Sequence, residues 1–257
     1  MAGNVQYSNS FRTAVISSVT SAVAGYPATR MLDKNFPLRP WMSTSLAVQQ
    51  DIVFDLGSAL SIVEVEIYDA NFTTLHVATG TVATPTDVSY NADDTTHTLL
   101  TDKWTNRTKL RIAKVATKQY LRLRVIVQSV LDGSPGFQIA YVGILSAVTT
   151  MTANPWTGMQ IKQRQAMLSN GLSDAEAGPF YLEIPIENQV LPPAQLDEWR
   201  NITLFGHSTP FHFFFNNGND SEIYLMKSVV EPTTSWDGPN YHPSLTLREH
   251  IGYIAKS

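Results

Sequence analysis

Six histidines and 22 carboxylates are the side chains from which metal or acid–base chemistry could be built in this chain. Their spacing does not build it. His207 and His212 are five residues apart, and His242 and His250 stand at opposite ends of one segment. No His-Glu-x-x-His run or other dense ligand set occurs, so these read as surface or packing histidines. Among carboxylates, Asp93-Asp94 sits in a polar stretch, and Glu64 and Glu66 share one face of a strand pattern. Glycoside hydrolysis needs two carboxyls facing each other across a sugar, and nothing in the spacing places two in that way. There is no Gly-x-Ser-x-Gly elbow and no phosphate-cradling glycine loop. The absence of cysteine removes thiolate nucleophiles, disulfides and Cys-based zinc sites. The expectation is a protein that is not an enzyme and has no cofactor.

Asp33 and Asn35 offer two oxygens to a cation, whereas Ca²⁺ takes six to eight. The competing role for Asp33 is to cap its own turn by accepting from backbone N–H groups. Close by, Phe36, Leu38 and Arg39 lie with Trp41 in a proline-containing loop. Aromatics beside an arginine can stack a sugar or anchor a protein. Phe36, Leu38 and Arg39 are therefore the candidate contact loop, while Trp41 is expected in the core. A second aromatic cluster runs Phe211-His212-Phe213-Phe214-Phe215. Alternation puts Phe211, Phe213 and Phe215 on one face and His212 and Phe214 on the other. Either both faces are core within one subunit, or His212 and Phe214 meet a neighbouring subunit.

The elements that position these residues are mostly strands. Gln50–Leu56, Ile62–Tyr68, Lys109–Ile112, Tyr120–Val127 and Phe137–Leu145 alternate apolar and polar residues, the mark of half-buried antiparallel sheets. Gly57-Ser58 reads as a stop between the first two. Short strands split by Gly, Pro and Asp suggest a sandwich or jelly roll. The rhythm is lost over 146–158, which sets expected domains at 1–147 and 148–257. The second domain reads as a small α+β unit. Strands are expected at Met159–Leu168 and Pro179–Glu187, then a helix from Pro192-Pro193 to about Phe205. A hairpin over Pro210–Phe215 and Glu222–Val230 and a last strand, Tyr241–Ile251, complete it.

Composition narrows the partners. Of 257 residues only 16% are charged, below the roughly 25% usual for soluble proteins. The net charge is −4 with no Lys/Arg run, so nucleic-acid binding by a basic face is not expected. No apolar run approaches the roughly 20 residues of a membrane helix, and Met1–Phe11 lacks a signal-peptide core.

Two resemblances extend this reading. The segment Leu32-Asp33-Lys34-Asn35, then Trp41-Met42-Ser43, then Ile52-Val53-Phe54-Asp55-Leu56-Gly57, resembles the early signature of discoidin-like, or galactose-binding-like, jelly rolls, over about residues 14–147. Lys34 stands where that family commonly has glycine. The later segment resembles a domain of siphophage tail-tip proteins, the distal-tail and minor tail proteins. It carries Phe180-Tyr181-Leu182-Glu183-Ile184-Pro185, Asp197-Glu198-Trp199, the aromatic run from Thr209 to Phe215, and Ser244-Leu245-Thr246-Leu247-Arg248-Glu249. The resemblances imply a structural subunit of a phage tail tip or baseplate. It would be built in the bacterial cytoplasm, placed in the virion, and ringed with itself as a hexamer or trimer among other phage tail proteins. The alternative is a carbohydrate-binding protein that recognises host cell-surface glycans.

Overall fold

A computed structural model describes residues 3–8, 13–33, 40–101, 108–146, 149–153, 160–163, 166–167, 173–174, 180–186, 211–216, 223–228, 233–237 and 240–249. The chain is mostly β and divides into two compact units. One comprises residues 10–148 with 220–223, and the other residues 1–9, 149–219 and 224–257. The first strand, β1 (Gly3–Ser8), belongs to the second of these.

The first unit is a β-sandwich. Its strands are β2 (Val15–Val19), β3 (Trp41–Met42), β4 (Gln50–Ala70), β5 (Thr74–Gly80), β6 (Thr95–Thr98), β7 (Leu100–Thr101), β8 (Thr108–Val125), β9 (Gln138–Ile139) and β10 (Tyr141–Leu145). The sequence pattern breaks β4 at Gly57-Ser58 and β8 between Ile112 and Tyr120. The structure instead runs both strands through, paired antiparallel from Gln50↔Val125 to Ala70↔Thr108. The glycine and the polar residues around it make a bend rather than an end. Gly57 takes a φ of +78°, its N–H donates to Asp55 Oδ1 at 2.7 Å, and the register slips between Asp55 and Leu60. A bulge of this kind bends a ladder without ending it.

The bend turns one ladder into two facing sheets. On one side β2 and β5 flank β4 and β8, with β6 beyond β5; on the other, β10 and β7 do. The inner faces meet in one core. Ile52, Phe54, Leu56, Leu121, Leu123 and Val77 come from the first side, and Val65, Ile67, Leu110, Ile112, Val142 and Ile144 from the second. A second slip, between Ile62 and Glu64, explains why both Ile62 and Val65 point inward although they differ in strand parity. The expected single strand Phe137–Leu145 is divided, because β9 pairs with β3 and β10 with β4.

Glu64 and Glu66 do share a strand face, but it is not a solvated one. Glu66 is fully buried and Glu64 nearly so, beside Lys109, Tyr68 and Tyr141. Gly143, directly across from Glu66, leaves room for the carboxyl. Tyr68 Oη donates to Glu66 Oε2 at 3.0 Å, and Arg111 Nε stands 3.5 Å from Glu64 Oε1. Burial pushes the Glu66 carboxyl up to about 8, against the opposing pull of Tyr68, Glu64 and Arg111.

The second unit is a sheet in the order β11-β1-β16-β17-β19-β15-β12, with β18 on β19. These are β11 (Thr149–Ala153), β12 (Gln160–Gln163), β15 (Phe180–Ile186), β16 (Phe211–Asn216), β17 (Ile223–Ser228), β18 (Thr233–Asp237) and β19 (Asn240–Glu249), with a separate pair β13 (Ala166–Met167) and β14 (Ser173–Asp174). The expected first domain begins at residue 1, yet β1 lies between β11 and β16 in this sheet. A polar six-residue strand carries no signal for a partner some 150 or 200 positions away. The chain thus leaves the sheet after β1 and returns in its antiparallel neighbour β11, with Tyr7 opposite Thr149. The strands expected near 159–168, 179–187, 210–215, 222–230 and 241–251 have counterparts in β12, β15, β16, β17 and β19, each at somewhat different bounds. The helix expected from Pro192 to Phe205 lies outside the described residues.

Two outcomes test these packings. A Cβ at buried Gly136 would run into the backbone carbonyl of Ser43, which cannot step aside, whereas one at Gly80 would meet the Tyr90 ring. Gly136→Ala is expected to destabilise by about 3 kcal/mol and Gly80→Ala by about 1–2 kcal/mol, read from urea midpoints at unchanged slope. Glu66 sets a pH dependence as well. Between pH 4.5 and about 8 the unfolded chain has released this proton and the folded chain keeps it. Stability therefore falls as pH rises through that window and levels off above it, by on the order of 5 kcal/mol in total. Glu66→Gln should remove this component and stabilise the protein at pH 8; an unchanged pH profile would refute the assignment.

Candidate functional site

The sandwich presents two places where polar and aromatic side chains concentrate: the outer sheet face over β5 and β8, and the loop end around β3. On the outer face, Asp51, Asp93, Asp94, Lys114, Arg122 and Arg124 are all engaged in ion pairs. Arg124 grips Asp51 with two nitrogens, Nε to Oδ1 at 2.6 Å and Nη2 to Oδ2 at 3.1 Å. Side-chain hydrogen bonding to Asp51 raises the Arg124 guanidinium above its usual range. Arg122 is wholly buried, donates Nη1 to the Pro85 carbonyl at 2.6 Å, and sets Nη2 3.1 Å from Asp94 Oδ1. Asp94 also meets His76 Nδ1 at 3.1 Å.

A short helix, α1 (Val88–Asp93), lies over this face. It seats Tyr90 on Val53, Ala78 and Tyr120, and the guanidinium of Arg122 stacks on the Tyr90 ring at 5.1 Å. Gly80 leaves the space that this ring fills. Asp93 accepts from the Thr79 N–H at 2.9 Å and pairs with Lys114 Nζ at 2.9 Å. Burial alone would raise the Asp93 carboxyl, but the bonds from Thr79 and Lys114 hold it below its ordinary value. Burial, with Lys114 nearby, lowers His97. Asp93 and Asp94 are thus bound to separate cations and do not face a shared cleft. Among the described residues, no group of three or more His, Asp or Glu could hold a metal. This face is closed by its own ion pairs.

The loop end is different: a polar frame holds a few side chains outward. Asn71 is fully buried at its centre. Its Nδ2 donates to Asp132 Oδ1 at 3.1 Å and to the Gly136 carbonyl at 3.0 Å, and its Oδ1 accepts from Gln138 N–H at 2.8 Å. Gln128 locks the start of β5 by accepting from the N–H groups of Thr73 and Thr74 and donating to the Thr74 carbonyl at 2.6 Å. Ser43 and Phe137 exchange two bonds, the Ser43 N–H to the Phe137 carbonyl at 2.9 Å and the Phe137 N–H to Ser43 Oγ at 2.8 Å. Trp41 is fully buried, as expected from the sequence, with Nε1 donating to the Ser21 carbonyl at 3.0 Å.

This frame carries a tyrosine and an arginine that the sequence reading did not single out. Residues 20–27 make a turn in which Gly25 adopts φ +84°. Tyr26 N–H donates to the Val23 carbonyl at 2.9 Å, and Met42 N–H to the Tyr26 carbonyl at 3.3 Å. The 3₁₀ turn Ala28–Leu32 is anchored by buried Ala28 and Met31. Above it Tyr26 is 38% exposed, with the Arg30 guanidinium 5.4 Å from its ring centre. The pair is an aromatic surface with a five-donor cation beside it on a backbone that cannot easily move. Only the Tyr26-x-x-x-Arg30 spacing hints at it in sequence.

The residues singled out from sequence fare unevenly. Phe36, Leu38, Arg39 and Asn35 lie outside the described residues. Asp33 closes the 3₁₀ turn, its N–H donating to the Arg30 carbonyl at 3.1 Å. His212 and Phe214 are placed by backbone only, in β16 opposite Ser8 and Gln6 of β1.

No family model matches the chain, and no curated protein matches it. Solved structures do. Chitosan-binding module 1 from a chitosanase/glucanase of Paenibacillus sp. IK-5 is similar at 22% identity and a TM-score of 0.36, over 52% of this chain and 93% of that one. The lectin domain of lectinolysin, solved with Lewis B antigen, is similar at 15% and 0.38, over 53% and 93%. XRCC1 bound to the catalytic domain of DNA polymerase β is similar at 16% and 0.40, over 53% and 98%.

Proposed function

We propose that this chain is a non-catalytic recognition protein whose jelly roll binds carbohydrate. The observation that supports this reading is the Tyr26–Arg30 pair on its hydrogen-bonded loop frame. Sugar rings present C–H faces that stack on aromatics and hydroxyls that accept from guanidinium N–H groups. A site that is rigid before binding loses little side-chain entropy when occupied. The outer face favours the same reading by contrast: its carboxylates are neutralised in place, so it lacks a carboxyl pair arranged for hydrolysis. The loop Phe36, Leu38 and Arg39 follows Asp33 directly in the chain and is proposed to extend the contact surface.

A glycan array probed with the full chain tests this. Saturable binding to a defined set of sugars is expected, weakened by about tenfold or more in Tyr26→Ala at an unchanged melting temperature. Absence of binding to every glycan at millimolar concentration would refute it.

A second reading is favoured by a separate observation. Residues 10–148 are inserted between two paired strands, β1 and β11, of the second sheet. A sheet that carries another unit as an excursion between neighbouring strands serves naturally as a scaffold for display. Joined to the resemblance of the later segment to siphophage tail-tip domains, this supports a structural subunit of a phage tail tip or baseplate. It would form a hexameric or trimeric ring with itself, bound to other tail proteins and residing in the virion. The proposed subunit contact uses His212 and Phe214 of β16. Sedimentation of the purified chain should then show a trimer or hexamer that Phe214→Asp dissociates. A monomer at high micromolar concentration, also missing from purified phage particles by mass analysis, would exclude this role.

A further inference from the structure

The sandwich contains two arginine–tyrosine stacks, and their surroundings are opposite. Arg122 on Tyr90 is wholly buried beneath α1, with Asp94 3.1 Å away to balance its charge. Arg30 on Tyr26 is at the surface of the loop end. Among the described arginines, Arg111 meets Glu64, Arg122 meets Asp94, Arg124 meets Asp51 and Arg248 meets Glu183. Arg30 has no carboxylate within ion-pair distance among the described residues; its partner is the Tyr26 ring.

The stack also orients the charge. A guanidinium lying near an aromatic ring keeps its N–H edges directed outward around the ring, where they can meet an oxyanion in a forked arrangement. A cation–ring stack near the surface is a weak bond, so a ligand can draw on the guanidinium without dismantling a strong internal one. The backbone beneath is held from both sides, by Val23 and by Met42.

The geometry points to a subsite for a negatively charged saccharide unit. Arg30 receives the carboxylate or phosphate, and Tyr26 lies alongside the ring that bears it. This inference rests on the carbohydrate-binding reading above and narrows it to acidic glycans. A carboxylate from a uronic acid and a phosphate ester on a sugar ring share the chemistry that Arg30 would recognise.

Calorimetric titration of the full chain with three probes tests it: a tetragalacturonate, the same oligomer fully methyl-esterified, and glucose 6-phosphate. At least one acidic probe is expected to bind, with the neutral ester weaker by about tenfold or more and the acidic binding reduced as salt rises. Arg30→Gln should erase the acidic preference, Arg30→Lys should keep part of it, and Tyr26→Ala should weaken all binding, with melting temperatures unchanged. Which acidic probe binds identifies the anion. Equal affinity for ester and acid, or acidic binding indifferent to Arg30→Gln and Tyr26→Ala, would overturn the subsite and leave carbohydrate binding standing. Binding of no saccharide, in this titration and on the array, would overturn both.

Discussion

The sandwich depends on one ladder, β4 against β8, being able to bend without breaking. Each strand contributes apolar residues to both facing sheets, so a straight ladder would leave half of the core without its other half. The bend is made by a register slip beside Gly57, whose positive φ is costly for any residue with a Cβ. A second slip before Glu64 restores the inward direction of Val65 and Ile67. The strands β2, β5, β7 and β10 pair directly with this ladder, and β6 joins it through β5. The burial of Ile52, Phe54, Leu121 and Leu123 against Val65, Ile67, Leu110 and Ile112 is the favourable term that the bend makes available.

At the loop end, buried hydrogen bonds do the work that apolar packing does in the middle. Asn71 and Ser43 satisfy backbone groups of Gly136, Phe137 and Gln138, and Gln128 those of Thr73 and Thr74. A buried donor or acceptor left unmade would cost about 1–3 kcal/mol, so these loops are held to one arrangement. The backbone beneath Tyr26 is held separately, by its N–H to the Val23 carbonyl and by the Met42 N–H to its own carbonyl. The outer face shows the opposite use of the same chemistry. There Arg122 and Arg124 pair with Asp94 and Asp51, and the Tyr90 ring stacks on Arg122.

The second sheet adds a constraint of connectivity. Because β1 and β11 are neighbours, the sandwich begins and ends at adjacent points of that sheet's chain path.

Much of the architecture was legible in the residues themselves. Period-2 alternation in Gln50–Leu56 and Tyr120–Val125 and the turn residues around them determined a mostly β chain with antiparallel sheets, and Trp41 read as core. Local pattern also supplied the paired position of Glu64 and Glu66. Only the tertiary structure decided that Gly57 bends a strand instead of ending it, since both outcomes use the same glycine and differ only in whether β8 continues alongside. Likewise it decided that the Glu66 face is dry and that β1 pairs with strands more than a hundred residues away. It also decided that Arg30, alone among the described arginines, stands without an acid. Alternation reports which way a side chain points relative to its own strand; what lies on that side is settled by segments distant in sequence, and so are burial, ion pairing and the site.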